Sequence, residues 1–171
     1  MIYILYFVLL SISNSIIQIN KADKIFNYAV EKIGCGYIWG GKGQLLTEEK
    51  LKHFKNKFPG FINENIDKKW IGKQVFDCSG FVLSSFKQIG IHISHGVTSA
   101  WENTNWAIKG KIDNLPRDKI AILFKELEGQ MIHAGIYLGN GEVVNAKIEG
   151  VVKEELRPVW THFGIPYGLY E

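Results

Sequence analysis

Met131-Ile132-His133-Ala134-Gly135-Ile136-Tyr137-Leu138-Gly139-Asn140-Gly141 carries the pattern that decides the fold. Ile132, Ala134, Ile136 and Leu138 alternate with His133, Gly135 and Tyr137, the period of two that turns successive side chains to opposite faces of a strand. Gly139-Asn140-Gly141 is turn chemistry, and Glu142 to Lys147 reads as the returning strand of a hairpin. Upstream, the apolar run Lys119 to Lys125 supplies another short strand. Asp77 to Ile89 reads as a helix whose stripe is Val82, Phe86 and Ile89, with Asp77 as N-cap and Gly90 beyond its end. Lys21 to Ile33 is a second amphipathic helix, with Ile25, Ala29 and Ile33 at spacing four, Phe26 and Val30 beside them, and Gly34 as its stop. Helices first and antiparallel strands after predict an α+β fold, N-terminal helices packed on a central antiparallel sheet.

The chain of 171 residues suits one domain of ordinary size. At 46% hydrophobic and 22% charged residues it can build a core, which excludes intrinsic disorder. Twenty basic against seventeen acidic residues leave +3, too mild and too dispersed for a nucleic-acid binder. Two cysteines, Cys35 and Cys78, are too few for a disulfide scaffold or a four-cysteine zinc site. With no phosphate loop, zinc spacing or paired-carboxylate site, no metal or organic cofactor is implied.

Ile2 to Leu10 is an unbroken apolar run followed by Ser11, Ser13, Asn14 and Ser15. It falls short of the about 20 apolar residues that cross a bilayer, but it suits a signal-peptide core. The reading is a secretory signal peptide over 1–15 and a single catalytic domain over 16–171, exported, monomeric and without stable membrane insertion. Lys42 to Lys73 reads as an inserted lid or flap. Lys50, Lys52, Lys55 and Lys57 fill its first half, which reads as a surface helix, and Pro59-Gly60 turns at its centre. Such a charge run is a solvated face, or it attracts acidic polymers in a way that weakens as salt rises.

Cys78 follows an N-cap, so its sulfur lies where unpaired helix N–H groups converge. That setting favours thiolate and lowers cysteine pKa values from about 8.5 to roughly 3.5–7.5. Gly80, close behind, removes bulk beside the sulfur. His133 sits on the minority face of an apolar strand, and a helix packed there would join thiol and imidazole as nucleophile and base. Asn145 completes the set if its amide oxygen accepts from the second ring nitrogen. A two-residue Asn140-Gly141 loop would pair Ile136 with Asn145 and turn Asn145 away from His133. A three-residue Gly139–Gly141 loop with a bulge pairs Gly135 with Asn145 and puts both on one face. The triad requires the second. The competing reading of the thiol is a Cys35–Cys78 disulfide. His162, His92 and His95 read as surface or packing residues, His92 and His95 as candidates to border a cleft.

Asp77-Cys78-Ser79-Gly80-Phe81-Val82, then His133 to Gly141, with Tyr37-Ile38-Trp39-Gly40-Gly41 ahead of both, resembles the NlpC family of papain-like cysteine endopeptidases. The resemblance spans roughly Lys24 to Gly41 and Val75 to Ala146. It implies a papain-like fold, Cys78 as nucleophile, His133 as base, and Asn145 at a third position that is commonly histidine. Tyr37 is implied at the oxyanion, and Asp77 and Ser79 as lining of the substrate cleft. The implied substrate is the bacterial peptidoglycan stem peptide, cut between D-γ-glutamate and a diamino acid. Two departures stand out: Asn145 supplies no charge, and the lysine-rich insertion is longer than the family's usual link. Two other functions fit the same residues, a thiol amidase or acyltransferase and a non-catalytic cell-wall binder.

Overall fold

A computed structural model describes residues 21–170. The expected signal peptide, residues 1–15, lies outside the described residues. Helix α1 covers 21–31 and buries Ile25 and Ala29 completely. Ile33, expected on the same stripe, lies past the helix end and is exposed, as is Val30. Gly34 follows at φ +85° and its N–H is taken by the Val151 carbonyl, so the stop also anchors the helix end to the sheet.

A small sheet comes next, built from β1 (Gly36–Tyr37), β2 (Lys42–Leu45) and β3 (Gln74–Phe76) in the order β1-β3-β2. Between β2 and β3 lie α2 (Glu48–Lys57), α3 (Glu64–Asp67) and a 3-10 turn, Lys68–Trp70. α2 is the surface helix expected in the first half of the lysine-rich stretch. Thr47 caps it by accepting from the Lys50 N–H, and Glu48, Glu49, Lys55 and Lys57 complement its dipole. Its four lysines are exposed while Leu51 and Phe54 turn inward. They join Ile38, Leu46, Trp70 and Val75 in a satellite core of their own. The stretch is therefore rooted in packed apolar surface at Leu46, Leu51, Phe54 and Trp70, while Leu45, Phe61, Ile66 and Ile71 are exposed.

α4 (Cys78–Lys87) and α5 (Val97–Asn103) precede the main sheet. That sheet holds β4 (Trp106–Lys111), β5 (Ala121–Leu127), β6 (Gln130–Tyr137), β7 (Glu142–Lys147), β8 (Gly150–Glu155) and β9 (His162–Pro166). Every pairing is antiparallel and the order is β4-β9-β5-β6-β7-β8. The fold class is the expected α+β. α4 lies across β6 and β7, where Phe81, Val82 and Phe86 meet Ala134, Ile136 and Val144 in one continuous core. Among the described residues no helix is long and apolar enough to cross a membrane.

The β6–β7 hairpin turns through three residues. Leu138 N–H donates to the Glu142 carbonyl, with Gly139 and Gly141 both at positive φ. Ile136 pairs with Val144 and Tyr137 with Val143, which sets Gly135 opposite Asn145. Of the two registers open to the sequence, this is the one that puts His133 and Asn145 on a common face.

Truncation separates Phe54 from Phe61, two of the aromatic residues of the inserted stretch. Phe54→Ala, in the satellite core, costs about 3 kcal/mol or more in a urea titration. Phe61→Ala, at a position 61% exposed, stays within about 0.5 kcal/mol of wild type.

Candidate active site

Cys78 is the first residue of α4, directly after an Asp77 in extended conformation that serves as N-cap. Both oxygens of Asp77 are fully engaged. Oδ1 accepts from the Gly80 N–H at 2.6 Å and the Ser79 hydroxyl at 2.9 Å. Oδ2 accepts from the Gly40 N–H at 2.9 Å and lies 2.8 Å from His95 Nε2. Ser79 Oγ in turn accepts from the Gly96 N–H at 3.1 Å. One carboxylate thus ties the start of α4 to the glycine turn before β2 and to the loop before α5. Asp77 and Ser79 both border the cavity, but their polar atoms are consumed by this framework. Gly80 is needed for a backbone reason: a Cβ there would overlap the Gly41 carbonyl oxygen, which already accepts from the Asp77 N–H.

A cavity of about 570 Å³ opens over Cys78, lined by Tyr37, Trp39, Phe58, His95, Met131 and His133 among others. His133 lies on β6 opposite Lys125, at the edge of a bulge in the β5–β6 pairing. Its Nε2 is 2.9 Å from Asn145 Oδ1, and its ring stacks on Trp160 at 5.4 Å and 22°. Gly135 makes that stacking possible, since a Cβ would come within 2.9 Å of both Asn145 Cβ and the Trp160 ring. Asn145 is buried, and its Nδ2 donates to Glu154 Oε1 at 3.1 Å.

Electrostatics overturn one expectation. The sulfur is not acidic at rest: burial and the neighbouring Asp77 carboxylate push the Cys78 thiol up to about 11. The N–H groups of Ala134, Ser79 and Cys78 itself pull the other way and do not win. Burial also holds His133 below the ordinary imidazole range, against the hydrogen bond to Asn145. The resting pair is thiol and imidazole, both neutral. Tyr37 is raised by burial and by its proximity to Cys78, Asp77 and Asp67, so it presents a neutral phenol to the cavity. Asp77 is desolvated, yet its bonds to His95, Gly80 and Ser79 hold it below the usual carboxylate range.

Cys35 and Cys78 are both free thiols. His162 is a packing residue against Trp101, and His92 is exposed. His95 is the histidine that borders the cavity, through its bond to Asp77. Three contributors escaped the sequence: Glu154, Trp160 and Phe58. None of the three carries a local signal, since the place of Glu154 two residues beyond the partner of Asn145 depends on the β7–β8 pairing. Among the described residues no group of three or more His, Cys, Asp or Glu side chains converges as a metal site.

A family model described as the NlpC/P60 family matches residues 34–164. The peptidoglycan endopeptidase RipA of Mycobacterium tuberculosis is 29% identical over 146 residues, 85% of this chain and 26% of RipA. The chain therefore spans about a quarter of that relative's length. The P60 domain of an antigen from M. avium subspecies paratuberculosis superposes with TM-score 0.60 at 22% identity, covering 87% of this chain and 96% of that one. RipD of M. tuberculosis, described as a non-catalytic NlpC/p60 domain protein adapted to peptidoglycan binding, gives TM-score 0.59 at 16% identity. The match covers 86% of this chain and 97% of RipD.

Two outcomes follow from the Asp77 framework. Gly80→Ala lowers stability by roughly 3 kcal/mol in urea, because the obstacle is backbone and cannot step aside. In acid the unfolded chain takes up the Asp77 proton first, near about pH 3.9, while the folded carboxyl resists. Its stabilisation is complete above that pH and is lost as pH falls through the folded value. Asp77→Asn flattens this part of the stability–pH curve, as measured by urea midpoints.

Proposed function

The chain belongs to the NlpC/P60 family, and on that premise we propose that it is an exported cysteine peptidase of bacterial peptidoglycan. Its bond is the amide between D-γ-glutamate and the diamino acid of the stem peptide. The observation that carries the reading is the 2.9 Å contact between His133 Nε2 and Asn145 Oδ1, which leaves Nδ1 for proton exchange in the cavity shared with Cys78. The apolar run from Ile2 to Leu10 supports export.

The neutral resting pair dictates the sequence of steps. Cys78 Sγ attacks the γ-carbonyl carbon as its proton moves to His133 Nδ1, so charge appears only once substrate is bound. The carbonyl oxygen becomes an oxyanion, held by the Cys78 N–H and the Tyr37 hydroxyl. The imidazolium, oriented by Asn145, returns the proton to the departing amine as the C–N bond breaks, leaving a γ-glutamyl thioester on Cys78. Water then attacks the thioester carbon, giving one proton to His133. Collapse releases the glutamyl carboxyl group and restores the thiol. Asp77 and Ser79 position the sulfur, through the N-cap and its links to Gly40, His95 and Gly96.

A thiol amidase or acyltransferase would use the same groups on a different bond, and the RipD description shows that this fold also serves without catalysis. The presence of thiol, imidazole and amide in one site favours turnover. Digestion of defined muropeptides with the fragments identified by mass spectrometry decides among these. Release of fragments cut after D-γ-glutamate is expected from wild type, and a loss of at least about 1,000-fold from Cys78→Ala with an unchanged fold. A cut at the sugar–peptide link would identify an amidase, and equal release by the variant would end the peptidase reading.

A further inference from the structure

We propose that Glu154 is a positioning residue: it fixes the amide of Asn145 so that His133 keeps its proton on Nε2 and offers Nδ1 to the Cys78 thiol. The inference rests on the peptidase reading for its catalytic consequence, but the proton's location is a property of the free protein.

An asparagine amide can present either its oxygen or its NH₂ to a neighbour, and nothing in its shape selects one. A carboxylate selects, because it only accepts. Glu154 Oε1 lies 3.1 Å from one end of the Asn145 amide, so that end is the NH₂. The oxygen must then face the ring nitrogen 2.9 Å away. A neutral imidazole has one N–H, and facing an acceptor it must be on Nε2. Nδ1 is left with a lone pair, the form that can take a proton from sulfur.

The strands build this chain deliberately. Asn145 pairs with Val152 across β7 and β8, so Glu154 is the diagonal neighbour on the same sheet face. Glu154 Oε2 is occupied by Lys147 Nζ at 2.8 Å, with Arg157 at 3.9 Å, which leaves Oε1 for the amide. Partial burial favours protonating Glu154, but Lys147, Asn145 and Arg157 outweigh it and keep the carboxyl below its usual range. The residue is therefore ionised when the imidazole must charge. Asn145 and Glu154 together do the work of a charged third group: the amide contacts the ring, and the carboxylate behind it orients the amide.

With a glutamine at this position the constraint is lost, since its amide can donate as well as accept. Asn145 is then free to turn over, and its turned NH₂ faces a bare Nε2 with the proton moved to Nδ1, where it blocks uptake from the thiol. The test is nitrogen-15 NMR of the His133 ring in the purified full chain, at a pH where the imidazole is neutral, for wild type and Glu154→Gln. Wild type is expected to show a single Nε2–H tautomer. Glu154→Gln is expected to show both tautomers and a fall in kcat/KM on muropeptides of roughly tenfold or more. A wild-type proton on Nδ1 overturns the proposal without any variant. So does a Glu154→Gln protein with wild-type tautomer and turnover. The expected tautomers in a protein that cuts no muropeptide would sink the peptidase reading and leave the positioning role standing.

Discussion

The register of one hairpin governs the site. Because the β6–β7 connection takes three residues, Asn145 stands opposite Gly135 and shares a face with His133. A slip of one residue would send the amide to the other side of the sheet and strand the imidazole. The glycines that allow the turn, Gly139 and Gly141, adopt backbone conformations that side-chain-bearing residues resist. Gly135 adds a second constraint by leaving room for Trp160 to lie flat against the imidazole. Ring orientation is thus set from the side by stacking and from one end by hydrogen bonding.

Asp77 plays the matching role on the helix side, and its two duties conflict. As N-cap and junction of four hydrogen bonds it holds the start of α4 in place. As a buried carboxylate beside Cys78 it raises the thiol it positions. His95 lies against its far oxygen at 2.8 Å and is placed to offset that charge when protonated. The chemistry that suits such a site is proton transfer at the moment of attack, since a standing ion pair would be costly in this burial.

Much of this was legible in the sequence because short-range rules govern it. The alternation of Met131 to Leu138, the Gly-Asn-Gly turn and the Asp77 cap each depend on a few adjacent residues. α4, β6 and β7 accordingly fall within a residue or two of the expected bounds. β4, β8 and β9 carry weaker local signals, because Trp106–Lys111 and Gly150–Glu155 have exposed polar positions and His162–Pro166 ends in proline. The inserted stretch read as a flap because its lysines dominate the composition. Its anchoring rests on Leu51 and Phe54 meeting Trp70 and Val75, a contact no local pattern announces. Sequence alone admits two turns for the pairing of His133 with Asn145, and the hydrogen bond from Leu138 to Glu142 selects the three-residue one. The helix start that favours an acidic Cys78 is a local signal, whereas the burial and the neighbouring Asp77 that raise the thiol belong to the assembled fold.

On the proposed mechanism His133 activates the Cys78 thiol, and Cys35 provides an internal reference for that activation. Cys35 is also a free thiol raised by burial, and it does not line the cavity that Cys78 shares with His133. Competitive alkylation by iodoacetamide near neutral pH, read by peptide mass, compares the two in wild type and in His133→Gln. Cys78 should react at least about tenfold faster than Cys35 in wild type and lose that advantage in the variant. Equal rates in wild type, or an advantage that survives the substitution, would contradict the pairing of sulfur and imidazole.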